Sequence, residues 1–414
     1  MKQEKCRVCG EKELEVILDL GNQPWCNDYK KITEIKNEII KYPLRACFCN
    51  KCSTFQIDEN VSPSIMYGDH TYRTASNKSM TKHFDEIAEK VNCYFTERKG
   101  LVMDIGSNDG TLLKSYKKLG WKVLGIEPSK NTAEEAKKNG IETLNEFFDY
   151  TLSSKIKNTI DKAMIISAAN VLYHIENIHE VLKGVKNILD ERGIFVIQAT
   201  YLPNLIENNE YDIIYHEHLL YYRIETLNLL LNMHGLEVFD CSFAHVHGGS
   251  AIIYANHKNT RDISENVKRI IKNEQIKEYS KILIYKDFAK RVEILNNKLK
   301  QYIELKVSEG YKICAYGAPA KGTVLINTLK LDSKCISYAV EVNKEKFNTY
   351  IPGTDIKVID EQLVRDEEPD YYLLLSWNFL EEFKKNEKFI NAKRKFIVPF
   401  PEPHVVSLNK IEYI

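Results

Sequence analysis

The chain has 414 residues, and its 58 Lys and Arg balance its 58 Asp and Glu, so the formal net charge is zero. This balance removes the general electrostatic argument for nucleic acid or an anionic membrane as the main partner. The longest uncharged stretches, 193–206 and 241–257, are interrupted by polar residues, glycine or proline, so we expect no membrane span. At about 150 residues per domain, the length predicts two or three domains.

The chain begins with MKQEKCRVCG, which lacks the apolar core of a signal peptide. We therefore expect a cytoplasmic protein in a reducing environment. The ten cysteines are accordingly not presumed to form disulfides.

Two cysteine pairs with the spacing C-x-x-C lie near the start of the chain. Four thiolates suit tetrahedral Zn²⁺, with bonds of about 2.3 Å, and a closed site of this kind is structural. An iron centre or a redox dithiol is the alternative. Cys47 could compete with Cys49 as a ligand, and Cys26 is a further thiol in this stretch. We predict a zinc-binding N-terminal domain over residues 1–70, with the ligands Cys6, Cys9, Cys49 and Cys52.

Between residues 99 and 200, short apolar runs alternate with charged helical segments, which predicts βαβ units and a parallel sheet. The first run, LVMDIG, leads into the turn SNDG and then into a helix. An acid at a strand end, a glycine turn and a helix N-terminus are typical of a nucleotide-like cofactor site. The spacing Asp104-x-Gly106-x-x-x-Gly110 differs from the G-x-G-x-x-G of dinucleotide turns and fits S-adenosylmethionine better.

The second predicted strand ends at a carboxylate, Glu127, about twenty residues further on, where it can accept both hydroxyls of a ribose. An ordinary tight turn with a capping acid is the alternative. We predict an S-adenosylmethionine-dependent methyltransferase domain of the Rossmann-like class over residues 71–258. Its predicted cofactor-binding residues are Asp104, Gly106, Ser107, Asn108, Asp109, Gly110, Glu127, Pro128 and Asn170.

The run YHEHLLYY, residues 215–222, is dense in side chains that can transfer protons. A histidine beside a glutamate is a natural general base, because the carboxylate fixes the tautomer and stabilises the imidazolium. If the run were helical, His218 would share a face with Tyr222, and His216 would point elsewhere. An aromatic packing stripe or a metal-binding pair is the alternative, although the i, i+4 histidine spacing of a helical zinc site is absent. His174 follows the fourth predicted strand, at the same sheet edge, unless it is only a packed residue.

Residues 259–310 have helical spacing and predict a linker of one or two long helices before a second Rossmann-like α/β domain over 311–414. That domain opens with the turn YGAPAKG, which lacks the spacing of an ATP-hydrolysing P-loop. A diphosphate on a nucleotide-linked substrate would fit the lysine and the helix N-terminus. The predicted substrate-binding residues are Tyr316, Gly317 and Lys321, with His247 from the HGGS turn upstream.

In this order, the paired cysteines, DLGNQP, DIGSNDGTLL, YHEHLLYY, HGGS and YGAPAKG resemble the three-part sugar C-methyltransferases that act on nucleotide-linked deoxy-ketosugars. The resemblance extends over nearly the whole chain. It implies a zinc-binding domain, an S-adenosylmethionine domain, a Rossmann-like C-terminal domain that helps to hold the nucleotide-sugar, and a monomer or weak homodimer. It also implies that five residues lie around the sugar: Tyr72, His174, Tyr215, Glu217 and His218.

The chain departs from the family pattern at Pro319, at Thr323 and in the segment 341–344, where EVNK replaces D-x-x-P. These departures leave open which nucleotide carries the sugar.

Methylation of carbon requires a carbanion, which a neighbouring ketone stabilises as an enolate. We hypothesise that His218, oriented by Glu217, removes the proton, and that Tyr215, Tyr72 or His174 hydrogen-bonds the enolate oxygen. An O- or N-methyltransferase acting on a sugar or small metabolite is the alternative enzyme. A non-catalytic module that binds zinc and S-adenosylmethionine is the alternative from another class.

Overall fold

The computed structural model describes residues 2–34, 39–66, 73–74, 78–97, 100–160, 162–244, 248–364, 368–385, 394–408 and 410–414. The predicted site residues Tyr72 and His247 lie outside these ranges. Within them, none of the helices combines the length and apolar character that crossing a bilayer requires.

The strands of the described residues are β1 (Leu14–Pro24), β2 (Lys30–Lys31), β3 (Lys41–Cys49), β4 (Phe55–Ile57), β5 (Leu101–Ile105), β6 (Lys122–Ile126), β7 (Thr143–Leu144), β8 (Ala163–Ala169), β9 (Leu189–Thr200), β10 (Leu220–Tyr221), β11 (Leu236–Ala244), β12 (Ser250–His257), β13 (Ile313–Tyr316), β14 (Ala339–Glu341), β15 (Thr349–Tyr350), β16 (Val358–Asp360), β17 (Tyr371–Leu374), β18 (Phe396–Val398), β19 (His404–Ser407) and β20 (Lys410–Tyr413). The α-helices are α1 (Pro63–Met66), α2 (Lys78–Asn92), α3 (Thr111–Lys118), α4 (Lys130–Lys138), α5 (Tyr150–Lys157), α6 (Ile178–Ile188), α7 (Leu202–Glu207), α8 (Ile224–Asn232), α9 (Glu265–Ile276), α10 (Ile282–Ser308), α11 (Ala320–Leu329) and α12 (Leu380–Lys384).

The N-terminal sheet has the order β1-β3-β4-β10. Its first three strands come from the cysteine-rich segment, whereas β10 belongs to the YHEHLLYY run and pairs antiparallel with β4. The zinc-binding segment therefore does not close its sheet on its own. The candidate catalytic run is joined to it by backbone hydrogen bonds.

The central sheet has the order β11-β12-β9-β8-β5-β6-β7. Strands β5 to β9 pair in parallel, and β12 pairs antiparallel with both of its neighbours. All five residues of β5 are buried, as expected for a strand that is covered on both faces. The chain crosses from one side of β5 to the other between β7 and β8, and open α/β sheets bind ligands at such a switch point. This confirms the predicted Rossmann-like α/β fold.

The C-terminal sheet has the order β16-β14-β13-β17-β18-β19-β20, parallel from β16 to β18 and antiparallel beyond. The first of these strands along the chain, β13, leads through YGAPAKG into α11. This confirms the second α/β unit that the sequence predicts.

The predicted linker of one or two long helices corresponds to α9 and α10, but α10 is packed more closely than a linker requires. Its Tyr285 is fully buried, with its ring centroid 4.7 Å from that of Phe48 and 5.2 Å from that of Phe55. Further along α10, Leu299 and Ile303 belong to the same apolar core. The helix thus contributes to a core shared by the N-terminal and C-terminal sheets. The predicted domain limits at 70, 258 and 310 stay a prediction.

Candidate active site

The four predicted metal ligands Cys6, Cys9, Cys49 and Cys52 meet in one cluster, with all sulfur atoms within 4.8 Å of one another. The Sγ atoms are 3.5 Å apart for Cys6 and Cys52, and 3.6 Å apart for Cys9 and Cys49. A tetrahedron with Zn–S bonds of about 2.3 Å has edges of about 3.8 Å. The sulfur atoms therefore fit Zn²⁺ almost as they stand.

The two C-x-x-C turns have the same local fold. The N–H of Gly10 donates to the carbonyl of Cys6 at 3.0 Å, and the N–H of Ser53 donates to that of Cys49 at 2.8 Å. Both donor residues have positive φ, +74° for Gly10 and +58° for Ser53. Cys47 is not in the cluster, which identifies Cys49 as the ligand.

The turn between β5 and α3 is closely packed. Gly106 has φ +68°, and a Cβ there would lie 2.6 Å from Cγ2 of Val171. Gly110 has φ +78°, and a Cβ there would lie 2.9 Å from Cγ1 of Ile141. Both positions therefore require glycine. Within the turn, the buried hydroxyl of Ser107 has no hydrogen-bond partner in the described part of the chain.

Glu127 is buried at the tip of β6, beside this turn. Its Oε2 accepts the N–H of Asn108 at 2.9 Å, and its Oε1 accepts the N–H of Ser129 at 2.8 Å. Each carboxylate oxygen keeps a second lone pair, which a ribose hydroxyl could use. These features fit an S-adenosylmethionine site: a closely packed glycine turn, the Ser107 hydroxyl without a partner in the described residues, and the Glu127 carboxylate. Asn170, with φ +58°, directly follows β8 at the same sheet edge.

Two of the predicted cofactor carboxylates have hydrogen-bond partners within the protein. Asp104 is buried and accepts the hydroxyl of Ser167 at 2.6 Å, and burial raises the pKa of this carboxyl to about 7. Asp109 accepts the N–H of Thr111 at 3.1 Å and its hydroxyl as well, at the first residue of α3. Asp109 therefore stabilises the start of α3, whereas Asp104 links β5 to β8.

The YHEH segment forms a turn, not the helix considered above. The N–H of His218 donates to the carbonyl of Tyr215 at 2.8 Å, and β10 begins two residues later. The turn places the rings of Tyr215 and His218 together, with their centroids 3.9 Å apart. The His174 ring lies 5.1 Å from the His218 ring, and Tyr173 packs on both. The structure thus brings together three of the five residues that the resemblance assigns to the sugar site.

A backbone carbonyl orients His218. Its Nδ1 lies 2.9 Å from the carbonyl oxygen of Ile213, which can only accept, so Nδ1 carries the proton and the neutral ring keeps its lone pair on Nε2. His174 is held in the same way, with Nδ1 2.6 Å from the backbone carbonyl of Glu217. His216 turns away, with Nε2 3.1 Å from the carbonyl of Pro43.

The predicted orientation of His218 by Glu217 is wrong. The Glu217 carboxylate is buried and directed toward the N-terminal domain, where its Oε1 accepts the indole N–H of Trp25 at 2.8 Å and the amide of Asn27 at 2.7 Å. Neighbouring side chains in a tight turn diverge, so adjacency in sequence did not produce a contact. The sequence interpretation missed Trp25 and Asn27, although both lie within three residues of the end of the DLGNQP motif.

The predicted substrate residues Tyr316 and Gly317 have packing roles in the C-terminal domain. The hydroxyl of Tyr316 donates to Glu361 at 2.9 Å, and its ring packs edge-on against that of Tyr372. A Cβ at Gly317 would lie 2.2 Å from the hydroxyl of Ser376, so the turn passes too close to the next strand end for any side chain. These contacts do not support a direct role in substrate binding.

Lys321 lies where the C-terminal domain meets the central one. Its ammonium group is 3.8 Å from the ring centroid of Trp377 and donates to Asn378. Burial lowers its pKa to about 8, and the nearby Asp212 and Glu210 oppose that shift. In the YGAPAKG turn, the N–H of Ala318 donates to the carboxylate of Glu341 at 2.9 Å. The diphosphate-binding role of the lysine stays a prediction.

Three family models match consecutive parts of the chain. They are a zinc-binding domain at residues 6–67, a methyltransferase domain at 79–240 and a C-methyltransferase C-terminal domain at 245–401. The chain is 29% identical over 411 residues to the C-methyltransferase NovU of Streptomyces niveus, covering 98% of this chain and 97% of that protein. It is 32% identical over 117 residues to an uncharacterized methyltransferase of Alkaliphilus oremlandii, covering 28% of this chain and 50% of that one. The solved CcbJ methyltransferase of Streptomyces caelestis is 14% identical with a TM-score of 0.34, covering 42% of this chain and 90% of that one.

Proposed function

We propose that this chain, which belongs to the S-adenosylmethionine-dependent methyltransferases, methylates a carbon next to the ketone of a nucleotide-linked deoxy-ketosugar. The members of its family join a zinc-binding domain, a methyltransferase domain and a C-methyltransferase C-terminal domain. The observation that carries this proposal is the Tyr215, His174 and His218 group. It combines a base with a hydrogen-bond donor, which are the two functions that enolate formation requires.

In the proposed reaction, Nε2 of His218 takes the proton from the carbon next to the ketone. The bond from Nδ1 to the carbonyl of Ile213 supports this role, because it fixes the tautomer in which Nε2 is the base. The same carbonyl stabilises the imidazolium that forms. The neutral imidazole is a base that suits a carbon acid already acidified by the adjacent ketone.

The enolate oxygen needs a donor that remains protonated. Burial raises the pKa of Tyr215 well above its usual value, so its hydroxyl is protonated at neutral pH. We assign to Tyr215 the hydrogen bond to the enolate oxygen, with His174 beside it. Tyr72, which the resemblance also implies, lies outside the described residues and stays a prediction.

S-Adenosylmethionine supplies an electrophilic methyl group, whose bond to sulfur breaks as the new carbon–carbon bond forms. The residues that would hold it are those of the β5–α3 turn, together with Glu127 and Asn170. Gly106 and Gly110 give the turn the shape that its close packing against Val171 and Ile141 requires. The proton removed from the sugar leaves His218 to solvent after transfer.

Mass spectrometry of the protein with S-adenosylmethionine and a panel of nucleotide-linked 4-keto-6-deoxysugars in heavy water tests the proposal. We expect one sugar to gain a methyl group in place of a hydrogen, with the methyl on carbon by NMR. Without S-adenosylmethionine, the same sugar should exchange the hydrogen next to its ketone for deuterium, because proton removal needs only the base. A product methylated on oxygen or nitrogen without such exchange would contradict the proposal and identify the alternative enzyme. The absence of both product and exchange across the panel would contradict it as well.

Glu127→Gln tests the assigned cofactor site. We expect the dissociation constant for S-adenosylmethionine to rise about 10- to 100-fold, because hydrogen bonds to a charged acceptor contribute about 1.5–3 kcal/mol. Isothermal titration calorimetry measures this constant directly.

Glu341→Gln is the matched control for this substitution. Glu341 ends the second strand of the other α/β unit and accepts a turn N–H at 2.9 Å, as Glu127 does. Its substitution should leave the affinity for S-adenosylmethionine unchanged. Equal weakening by both substitutions, or none by Glu127→Gln, would place the cofactor elsewhere.

A further inference from the structure

A short connection after β1, residues 25–31, joins the zinc-binding domain to the C-terminal domain, and we term it the bridging segment. Its last two residues form β2, which pairs antiparallel with β15. Near its start, the carbonyl of Cys26 accepts the hydroxyl of Thr323 at 3.1 Å. The bridging segment is therefore attached to the C-terminal domain at two points.

Tyr29 provides a third attachment. Its hydroxyl donates to the carbonyl of Ala318 at 2.7 Å, in the YGAPAKG turn. Lys346 donates to the same carbonyl at 2.7 Å and lies 4.3 Å from the centroid of the Tyr29 ring. Burial raises the pKa of the Tyr29 hydroxyl, which keeps it a donor. The backbone between these points is thus fixed before any ligand binds.

The side chains of the same segment hold Glu217. Trp25 and Asn27 both donate to its Oε1, at 2.8 Å and 2.7 Å. Among the residues that the structure describes, none donates to Oε2 of this carboxylate, and Glu217 as a whole residue is only 5% exposed. Oε2 is not among the fully buried side-chain atoms that lack a hydrogen-bond partner, so a ligand can reach it, and a ligand hydroxyl can donate to it.

Glu217 is also connected to the proposed base. Its backbone carbonyl accepts Nδ1 of His174 at 2.6 Å, and His218 is the next residue. Glu217 therefore lies in the same part of the molecule as the histidine pair.

We propose that Trp25 and Asn27 are positioning residues, which hold Oε1 of Glu217 so that Oε2 accepts a hydroxyl group of the acceptor sugar. The inference rests on the proposed function, because it takes a sugar as the ligand. It gives the N-terminal domain a part in substrate recognition in addition to its zinc site. Two donors from a fixed backbone set one rotamer of the carboxylate, so the sugar is selected by the position of its hydroxyl.

A double-mutant cycle tests this positioning role. Trp25→Phe keeps an aromatic ring and removes the indole N–H. With the sugar that the heavy-water panel identifies, we expect KM for the sugar to rise about tenfold, with kcat changed less and the affinity for S-adenosylmethionine unchanged. In a Glu217→Gln background, the further effect of Trp25→Phe should be less than about twofold, because the charged acceptor is already lost.

Trp121→Phe is the matched control, since its indole N–H donates at 3.1 Å to Asn92, in α2. It should leave KM for the sugar unchanged. An equal rise in KM for Trp25→Phe in both backgrounds would overturn the proposal, because a purely structural role of Trp25 does not depend on the charge of Glu217.

A second measurement does not depend on the sugar. The chain has three tryptophans, so the indole ¹H–¹⁵N resonance of Trp25 can be assigned by its loss in Trp25→Phe. We expect Glu217→Gln to shift this resonance, and an unshifted resonance would overturn the inference. If no sugar of the panel is methylated, the proposed function fails, whereas a shifted resonance still confirms that Trp25 holds Glu217.

Discussion

His218→Asn is expected to lower kcat for methyl transfer by two to four orders of magnitude, the usual range for loss of a general base. Asparagine is similar in size and can still donate to the carbonyl of Ile213, but it has no nitrogen that takes up a proton. The affinity for S-adenosylmethionine should stay near that of the wild type, because the cofactor is assigned to the β5–α3 turn. Product formation by mass spectrometry and calorimetric binding of S-adenosylmethionine measure the two quantities separately.

His216→Asn is the matched control, since it makes the same change two residues away. The ring of His216 faces Pro43 of the N-terminal domain, and burial lowers its pKa. Its replacement should reduce stability while leaving kcat within a few-fold of the wild-type value. Deuterium exchange next to the ketone should be lost in His218→Asn and retained in His216→Asn. Wild-type turnover in His218→Asn would show that another group removes the proton.

The parallel sheets could be predicted from sequence because their cause is local. A strand such as β5 is covered on both faces and therefore forms a continuous apolar run, which can be recognised without knowledge of its partners. The pairing of β10 with β4 is different, since it joins residues about 165 positions apart through two short strands. The packing of Tyr285 against Phe48 and Phe55 likewise depends on the tertiary arrangement.

In the candidate site, too, the local sequence predicted some features, whereas others depend on the tertiary structure. Residue chemistry and order along the chain pointed to Tyr215, His174 and His218, and the structure brings them together. The direction of the Glu217 side chain depends on the geometry of one turn, which the pattern did not specify. Its donors Trp25 and Asn27 lie 192 and 190 residues away, so no local spacing could have indicated them.

Cys49→Ser is expected to remove zinc and to lower the midpoint of thermal unfolding by about 10 °C or more, because a structural zinc site contributes directly to the free energy of folding. The sheet of β1, β3 and β4 should loosen first. Methyl transfer should fall with it, since this sheet includes β10 and leads into the bridging segment that holds Glu217. Zinc content by elemental mass spectrometry, thermal unfolding and turnover are measured on the same preparation.

Cys47→Ser is the matched control for this prediction, because Cys47 is a buried thiol of the same strand that lies outside the metal cluster. It should keep one zinc per chain and lose much less stability than Cys49→Ser. Removing zinc from the wild type with a chelator should reproduce the Cys49→Ser result, and turnover should return when zinc is restored. Since zinc acts here through the fold, kcat of the fraction that remains folded should be near normal. A zinc-free protein with unchanged thermal stability would contradict the structural role of the four cysteines, whereas a fully folded zinc-free protein without turnover would give the metal a direct part in the reaction.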